Sequence, residues 1–310
     1  MAHQLLEDTR MTDYANRSAR GRAPTGDEAT LRSRLGSARE RDRRRAALGL
    51  VEIAANGGLT SETIVQLAEL VSDDDSADVR QFAVEASGLA TDTAPESDGE
   101  AVAAAAIRTA LTDDHEWVRA EAVVAQSRIA PEAEEPIRAA LTDDSGWVRR
   151  NAVIALSKTG AASQELLVER LTNDPHSGVR EYAATYLCEF SEDIDETVRI
   201  LAAVMVRDPE AFVRAKAATS LGTLGTDRAE EALEQHGLTD RSDDVRRSAK
   251  RALASARGVD PERLNVELND EAAPGSGPGS RRERERNRRE TRRGPAGSID
   301  GLTQGQRDRR

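Results

Sequence analysis

Apolar side chains recur along the chain at the three- and four-residue spacing of helices that are buried along one face. The clearest stripe starts at Val118 and continues through Ala122, Ala125 and Ile129. A stripe of the same spacing starts at Val213. Stripes of this kind predict amphipathic helices. The chain is therefore expected to be all-α.

One helical stretch returns almost letter for letter. Residues 111–130 read LTDDHEWVRAEAVVAQSRIA and residues 141–160 read LTDDSGWVRRNAVIALSKTG, a shift of 30 residues between Val118 and Val148. The shorter pattern Val-Arg-x-x-Ala recurs at Val79, Val179, Val213 and Val245. A fixed period of this size indicates stacked repeats, each of which buries its apolar face against its neighbours. We predict an α-solenoid of about six to seven helical hairpins.

An acidic turn precedes the Val-Arg helix of each predicted hairpin. Its aspartates, four or five residues before the valine, are expected to cap that helix and to complement its N-terminal dipole. They are Asp75, Asp114, Asp144, Asp174 and Asp208. Thr25 and Glu28 have capping-box spacing and predict the start of the first helix. Gly160 and Gly225 are expected to end helices in the left-handed conformation.

The composition changes outside and between the repeats. Residues 1–24 have no sustained period and predict a disordered arm, and the solenoid is expected to span residues 25–257. Residues 90–100 lengthen one repeat and predict a surface loop. A Gly/Pro/Ser linker and an Arg-rich segment occupy residues 258–310 and predict a disordered tail.

The charge is unevenly distributed. The whole chain carries −12, yet residues 1–45 hold 11 Arg against 7 acids and residues 281–310 hold 11 Arg against 5, which leaves −22 for residues 46–280. Only 3 Lys accompany 41 Arg. An acidic body of this kind stays hydrated in concentrated salt, and it resembles proteins of halophilic archaea.

Cysteine use and hydropathy indicate a cytoplasmic protein. Cys188 is the only cysteine, which excludes an intrachain disulfide and fits a reducing compartment. No apolar run reaches the roughly 18 residues of a membrane span, and the first residues carry acids where a signal peptide is apolar. We therefore expect neither insertion into a membrane nor secretion.

The acidic turn followed by Val-Arg-x-x-Ala, in helix pairs of 30 to 34 residues, resembles the HEAT-like repeats of the phycobilisome-lyase type over about residues 27–257. The resemblance implies a right-handed α-solenoid whose second helices line the concave face. It also implies a structural ladder of bidentate ion pairs between the repeated arginines and the turn aspartates. The arginines are Arg80, Arg119, Arg149, Arg180, Arg214 and Arg246, and the ladder aspartates are Asp114, Asp144, Asp174 and Asp208.

Residues capable of chemistry are sparse and scattered. His115 and His176 share one repeat position but lie two repeats apart, more than about 15 Å, which is too far for one metal ion. Cys188 is predicted to be a small buried hydrophobe, since no histidine is expected beside it. We therefore predict no metal, no cofactor and no catalytic residue.

The Val-Arg helices also predict a binding surface. Trp117, Trp147 and Phe212 each directly precede a repeat valine, so they would form a row that either covers the inter-helix turns or anchors a partner. The outward positions of the same helices are mixed apolar and polar, as in protein interfaces. The partner-binding residues predicted there are Glu121, Val124, Arg150, Asn151, Ile154, Tyr182, Lys216, Arg247 and Arg251.

These observations favour a non-catalytic scaffold that binds another protein on the concave face. One alternative is a bilin-lyase-like or chaperone-type subunit that acts on a tetrapyrrole protein, which follows from the resemblance alone. Another is association with nucleic acid through the Arg-rich tail. Against the latter, Glu283, Glu285 and Glu290 interrupt the basic run, and the body is acidic. No small-molecule substrate is indicated.

Overall fold

The computed structural model describes residues 26–91 and 98–264, which are helical and contain no strand. Fourteen α-helices are present in these ranges. They are α1 (Glu28–Leu35), α2 (Glu40–Gly57), α3 (Ser61–Asp73), α4 (Ala77–Thr91), α5 (Asp98–Ala110), α6 (Glu116–Ile129), α7 (Glu134–Ala139), α8 (Gly146–Lys158), α9 (Gln164–Asn173), α10 (Ser177–Tyr186), α11 (Ile194–Arg207), α12 (Ala211–Leu224), α13 (Asp227–Ala232) and α14 (Asp243–Ala256). A 3-10 turn extends α7 and a π turn extends α13.

The helices form seven consecutive hairpins, called repeats one to seven, in which an odd-numbered first helix precedes an even-numbered second helix. Each second helix packs on the second helices of the neighbouring repeats, from α2 through to α14. The first helices of repeats two and three pack on each other, whereas those of repeats four to six pack mainly on second helices. The predicted all-α solenoid of helical hairpins is confirmed.

Small side chains allow the second helices to approach closely. A Cβ atom on Gly222 of α12 would lie 2.6 Å from the Cβ atom of Ala252 in α14, and one on Gly88 of α4 would lie equally close to Ala125 of α6. The predicted stripe residues Val118, Ala122 and Ala125 are fully buried. The core is therefore a continuous seam of Ala, Val and Leu between the helices of successive repeats.

The start of the first helix differs from the prediction. The N-cap of α1 is Asp27, whose carboxylate accepts a hydrogen bond from the Thr30 amide at 2.8 Å. Thr25 lies outside the described residues, and Glu28 does not complete a capping box. Its carboxylate instead accepts hydrogen bonds from Thr60 and Thr63 of repeat two. A side chain expected to act locally therefore ties two repeats together.

The turn aspartates are also shifted in register. The aspartate that accepts the amide two residues ahead stands five residues before the repeat valine in every repeat from two to seven, as Asp113 does for the His115 amide and Asp143 for the Ser145 amide. Asp75, Asp114 and Asp144, one residue later, were expected in this role. These three aspartates are exposed, whereas the aspartate one residue earlier in each turn points inward and accepts the amide.

The ends of the second helices follow the prediction, and the flanks are only partly described. Gly160 and Gly225 have φ of 78° and 59°, as expected for left-handed helix ends. Within the predicted loop 90–100, α4 extends to Thr91 and α5 begins at Asp98, and residues 92–97 lie outside the described range. The arm 1–24 and most of the tail lie outside it too. None of the described helices is long and apolar enough to cross a bilayer.

Candidate functional site

Six arginines of the second helices connect each repeat to the next. Nε and Nη2 donate to the turn aspartate of the following repeat, and Nη1 donates to a backbone carbonyl of the arginine's own turn. The pairs and their shortest salt-bridge distances are Arg43–Asp74 (2.5 Å), Arg80–Asp113 (2.7 Å), Arg119–Asp143 (2.8 Å), Arg149–Asp174 (2.8 Å), Arg180–Asp208 (2.7 Å) and Arg214–Asp240 (2.8 Å). Arg246, in the last repeat, pairs with Asp243 of its own helix.

This ladder differs from the predicted one at two aspartates. Asp113 and Asp143 hold the bidentate positions that were expected for Asp114 and Asp144. The exposed Asp114 makes a single contact with Arg80 at 2.6 Å, and Asp144 contributes its backbone carbonyl to Arg149 at 3.1 Å. The predicted ladder residues Asp174 and Asp208 do accept both bonds, from the preceding repeat's arginine.

The electrostatics of the ladder are those of a structural joint. Burial raises the pKa of the Asp143 carboxyl, but hydrogen bonds from Arg119 and from the Ser145 amide outweigh burial, and the pKa lies below its usual range. The hydrogen bond to Asp143 is the main reason why the pKa of Arg119 is raised. Both partners are therefore charged at neutral pH, and neither is available for proton transfer.

Beside the ladder, aromatic rings and one guanidinium group form a continuous row across repeats three to five. We call it the aromatic–arginine row: Trp117, Trp147, Arg150, His176, Tyr182 and Tyr186. The ring centroids of Trp117 and Trp147 are 5.5 Å apart. The Arg150 guanidinium lies 5.4 Å from the Trp147 ring and 5.1 Å from the Tyr182 ring. The Tyr182 and Tyr186 rings stack at 6.4 Å.

His176 belongs to this row because two glycines make space for it. Its imidazole meets Trp147 edge to face at 4.8 Å. A Cβ atom on Gly146 would lie 2.3 Å from His176 Cγ, and one on Gly178 would lie 3.0 Å from its Cε1. Burial is the main reason why the pKa of His176 is lowered, with Arg149, Arg150 and Arg180 acting in the same direction and Asp174 opposing them. The ring is therefore neutral and packs as an aromatic side chain.

The predicted aromatic line is thus only partly formed. Trp117 and Trp147 are half-buried and touch each other, instead of standing about one helix spacing apart as expected. Phe212 is 42% exposed. Gly178 occupies the corresponding position in repeat five, and it has no side chain that could connect the tryptophans to Phe212. The row continues through Arg150 and Tyr182 instead.

The outward positions of the second helices divide into two groups. Glu121, Val124, Arg150, Asn151 and Ile154, expected to face solvent, are buried. Val124 and Ile154 form an apolar cluster with Tyr182 and Tyr186, and the Asn151 amide donates to the Ala120 carbonyl at 2.8 Å. Lys216, Arg247 and Arg251, in repeats six and seven, are exposed as expected.

The second helices carry both cations and acids next to the row, among them Lys216 and Glu181. All three lysines of the chain lie on second helices, Lys158 on α8, Lys216 on α12 and Lys250 on α14. Burial raises the pKa of the Glu181 carboxyl, while Lys216 and Arg150 act in the opposite direction. The Glu181 carboxyl, Lys216 and Arg150 therefore lie close enough to one another, beside Tyr182, to interact electrostatically.

His176 and Tyr186 were not predicted to belong to the row. The signal that could have revealed His176 is the pair of glycines in the first turns of α8 and α10, where other repeats carry side chains. The signal for Tyr186 is its spacing, because it lies four residues after Tyr182 on α10 and residues four apart share one face of a helix.

Groups able to support a reaction are few in the described residues. No three His, Cys, Asp or Glu side chains come close enough there to hold a metal ion. Cys188 lies just beyond the end of α10, with burial raising the pKa of its thiol, and its Sγ lies 3.6 Å from the Thr185 carbonyl. The row itself is held together by ring–ring and cation–π contacts.

Known proteins with a similar sequence or fold are also built of helical repeats. The HEAT-repeat family matches residues 104–184 and 164–254. The crystal structure of the Escherichia coli protein YibA aligns with a TM-score of 0.55 and 20% identity, over 77% of this chain and 86% of that one. The complex of CpcE and CpcF of phycocyanin lyase from Nostoc sp. aligns with a TM-score of 0.44 and 17% identity, over 75% of this chain and 88% of that one. No curated protein sequence matches.

Residues 104–254 are therefore similar to the HEAT-repeat family, and the likeness to YibA is one of fold. The helix pairs before residue 104 extend the same stack, since Arg43–Asp74 and Arg80–Asp113 repeat the ladder contact found between the later repeats.

Proposed function

We propose that these HEAT repeats form a non-catalytic cytoplasmic scaffold that binds a segment of another protein across the second helices of repeats three to seven. The observation that carries the proposal is the aromatic–arginine row. Trp, Tyr and Arg are enriched at binding hot spots, and half-buried rings held by their neighbours lose little side-chain freedom when a partner covers them.

The surface around the row supplies the remaining features of an interface. Val124 and Ile154 support the tyrosines from beneath. The exposed Phe212, Lys216, Arg247 and Arg251 extend the surface towards repeat seven, where a partner's carboxylates and apolar side chains would find complementary groups. A core of aromatic residues with a charged rim is the usual composition of a protein-binding patch.

Affinity capture with matched variants tests the proposal. Tyr182→Ala/Lys216→Glu removes one ring and reverses one charge on the row side, and Val102→Ala/Val206→Ala trims two exposed residues of first helices as the control. Proteins captured from native lysate at high salt are purified and their affinities for each variant measured. We expect at least about a tenfold weaker affinity for the row variant, and an unchanged affinity for the control. A partner held equally by both variants would exclude this surface.

A further inference from the structure

We infer that His176 acts as a pH-sensitive latch at the joint between repeats four and five. In its neutral form the imidazole fills a pocket between Gly146 and Gly178 and contacts Trp147. In its protonated form the side chain turns out to solvent, and Trp147 loses this contact. The inference goes beyond the proposed function, because it concerns how two repeats are held together and needs no partner.

The joint between repeats four and five has the smallest contact between second helices. α10 is 10 residues long, whereas the other second helices have 13 to 18 residues. Among the described helices, α8 and α10 share less contact than any other consecutive pair of second helices. A single side chain therefore contributes a larger part of the attachment here than at the other joints. His176, directly before α10, is such a side chain, because its ring contacts Trp147 of α8.

The pocket is made by two glycines and fits a flat ring. A Cβ atom on Gly146 would lie 2.3 Å from Cγ and 2.4 Å from Cδ2 of His176, and one on Gly178 would lie 3.0 Å from its Cε1. The ring thus occupies the space that side chains at these two positions would need. Trp147 completes the pocket through its edge-to-face contact with the imidazole at 4.8 Å.

The Nδ1 atom of His176 makes the pocket selective for the neutral ring. It is buried and has no hydrogen-bond partner among the described residues. When the proton of the neutral imidazole is on Nε2, Nδ1 is an uncharged acceptor. A second proton turns Nδ1 into a donor of a charged ring, and a charged group costs more to leave buried and unpaired than a neutral one.

The charged groups around the ring do not compensate for its protonation. They are Arg149 and Arg150 on α8, Arg170 on α9, Asp174 in the turn and Arg180 on α10. Burial is the main cause of the lowered pKa of His176, Arg149, Arg150 and Arg180 act in the same direction, and Asp174 opposes them. Both oxygens of the Asp174 carboxylate already accept hydrogen bonds from Arg149, and one of them also accepts the His176 amide. Asp174 could therefore pair with an imidazolium only at the expense of the ladder.

Protonation consequently favours rotation of the His176 side chain towards solvent. The residue is partly exposed, so its ring reaches water without unfolding of α10. The Arg149–Asp174 pair keeps the two repeats in register while the ring is outside. What changes is the cover on Trp147, and with it the shape of the aromatic–arginine row.

Tryptophan fluorescence of the full chain reports the position of the ring, because one of its only two tryptophans contacts His176. We expect the acrylamide quenching constant to rise about twofold between about pH 8 and about pH 5, since Trp147 loses a covering ring. The midpoint should lie below the usual imidazole pKa of about 6.5. Far-UV circular dichroism should stay unchanged over this range, because the helices and the ladder remain.

Three variants separate the latch from other effects of pH. His176→Phe keeps a flat ring that cannot be protonated, so quenching should stay low at every pH. His176→Ala removes the ring, so quenching should already be high at the alkaline end and should not change. His115→Phe is the matched control, because His115 occupies the same position in repeat three and is exposed, and it should keep the wild-type step.

A step that survives in His176→Phe or His176→Ala would overturn the inference, since another group would then cause it. The same holds if the wild type shows no step, if His115→Phe loses it, or if helix content falls together with it. Should His176→Phe fail to fold, His176→Ala decides the question, because its quenching at the alkaline end must exceed that of the wild type. Partner capture by Tyr182→Ala/Lys216→Glu is a separate measurement, so either proposal can fail without the other.

Discussion

At the scale of single residues, one arginine position holds adjacent repeats in register. The guanidinium of Arg214 is 2% exposed, and it donates to the Asp240 carboxylate of repeat seven and to the Asp208 and Pro209 carbonyls of its own turn. The planar guanidinium fixes the direction of each N–H donor. A lysine ammonium group has no such geometry and could not make the same set of hydrogen bonds. Such a pair fixes the position of the following repeat. Its net contribution to stability is smaller than the number of its hydrogen bonds suggests, because both charges lose their hydration.

Asp143→Asn tests the register of the ladder, with Asp144→Asn as the neighbouring control. Replacing Asp143 leaves the partly buried Arg119 guanidinium without its bidentate acceptor, and we expect a loss of about 2 to 3 kcal/mol in the free energy of unfolding. The exposed Asp144 should tolerate the change within about 0.5 kcal/mol. Urea unfolding followed by circular dichroism measures both. Equal losses for the two variants would contradict the assignment of the ladder to Asp143.

At the scale of the helices, the distance between neighbouring second helices is set by the glycines and alanines at their contacts. A Cβ atom on Gly222 of α12 would lie only 2.6 to 2.7 Å from the Cα, Cβ and carbonyl oxygen atoms of Ala252 in α14. No rotamer change can relieve a contact with backbone atoms, so the two helices would have to separate. This explains why aromatic residues are scarce in the seam and are placed on the row instead.

Gly222→Ala is accordingly expected to destabilise repeats six and seven by about 2 kcal/mol, because it overpacks the contact between α12 and α14. Gly57→Ala at the end of α2 is the control, since a Cβ atom there meets nothing within 4 Å. Thermal unfolding of each variant provides the comparison. Adding Ala252→Gly should recover only part of the loss, because the Ala252 backbone stays close. Full recovery would show that the side chain alone causes the clash.

At the scale of the whole molecule, the ladder makes stability depend on pH in a defined direction. Hydrogen bonds from arginine and from the turn amides outweigh burial and hold the pKa of Asp74, Asp113, Asp143 and Asp174 below the usual value. As the pH falls, the unfolded chain binds protons at these groups before the folded one does. Their contribution is therefore complete above the unfolded pKa of about 3.9 and disappears as the pH falls through the lower folded values.

We expect the urea midpoint to fall between about pH 5 and pH 3, and Asp143→Asn to show a smaller fall because one of the titrating pairs is already absent. His176 also lowers the stability of the fold as the pH falls, but at higher pH, below its unfolded pKa of about 6.5. The reason is that burial is the main cause of its lowered pKa in the folded protein. His176→Gln separates the two windows. A midpoint that rises as the pH falls from 5 to 3 would contradict the role assigned to the carboxylates.

The sequence alone determined the repeat, the helical hairpin and the buried stripe, because helical periodicity is local and each copy repeats the same information. Val118 and Ala122 were correctly placed in the core for this reason. Tertiary structure decided which of two adjacent aspartates receives the arginine of the preceding repeat, that Glu28 bonds to repeat two, and that His176 packs on Trp147. Each of these depends on the rotation and separation of neighbouring helices. That geometry is set by the contacts of Gly222, Gly146 and similar positions across the stack, and sequence spacing does not encode it.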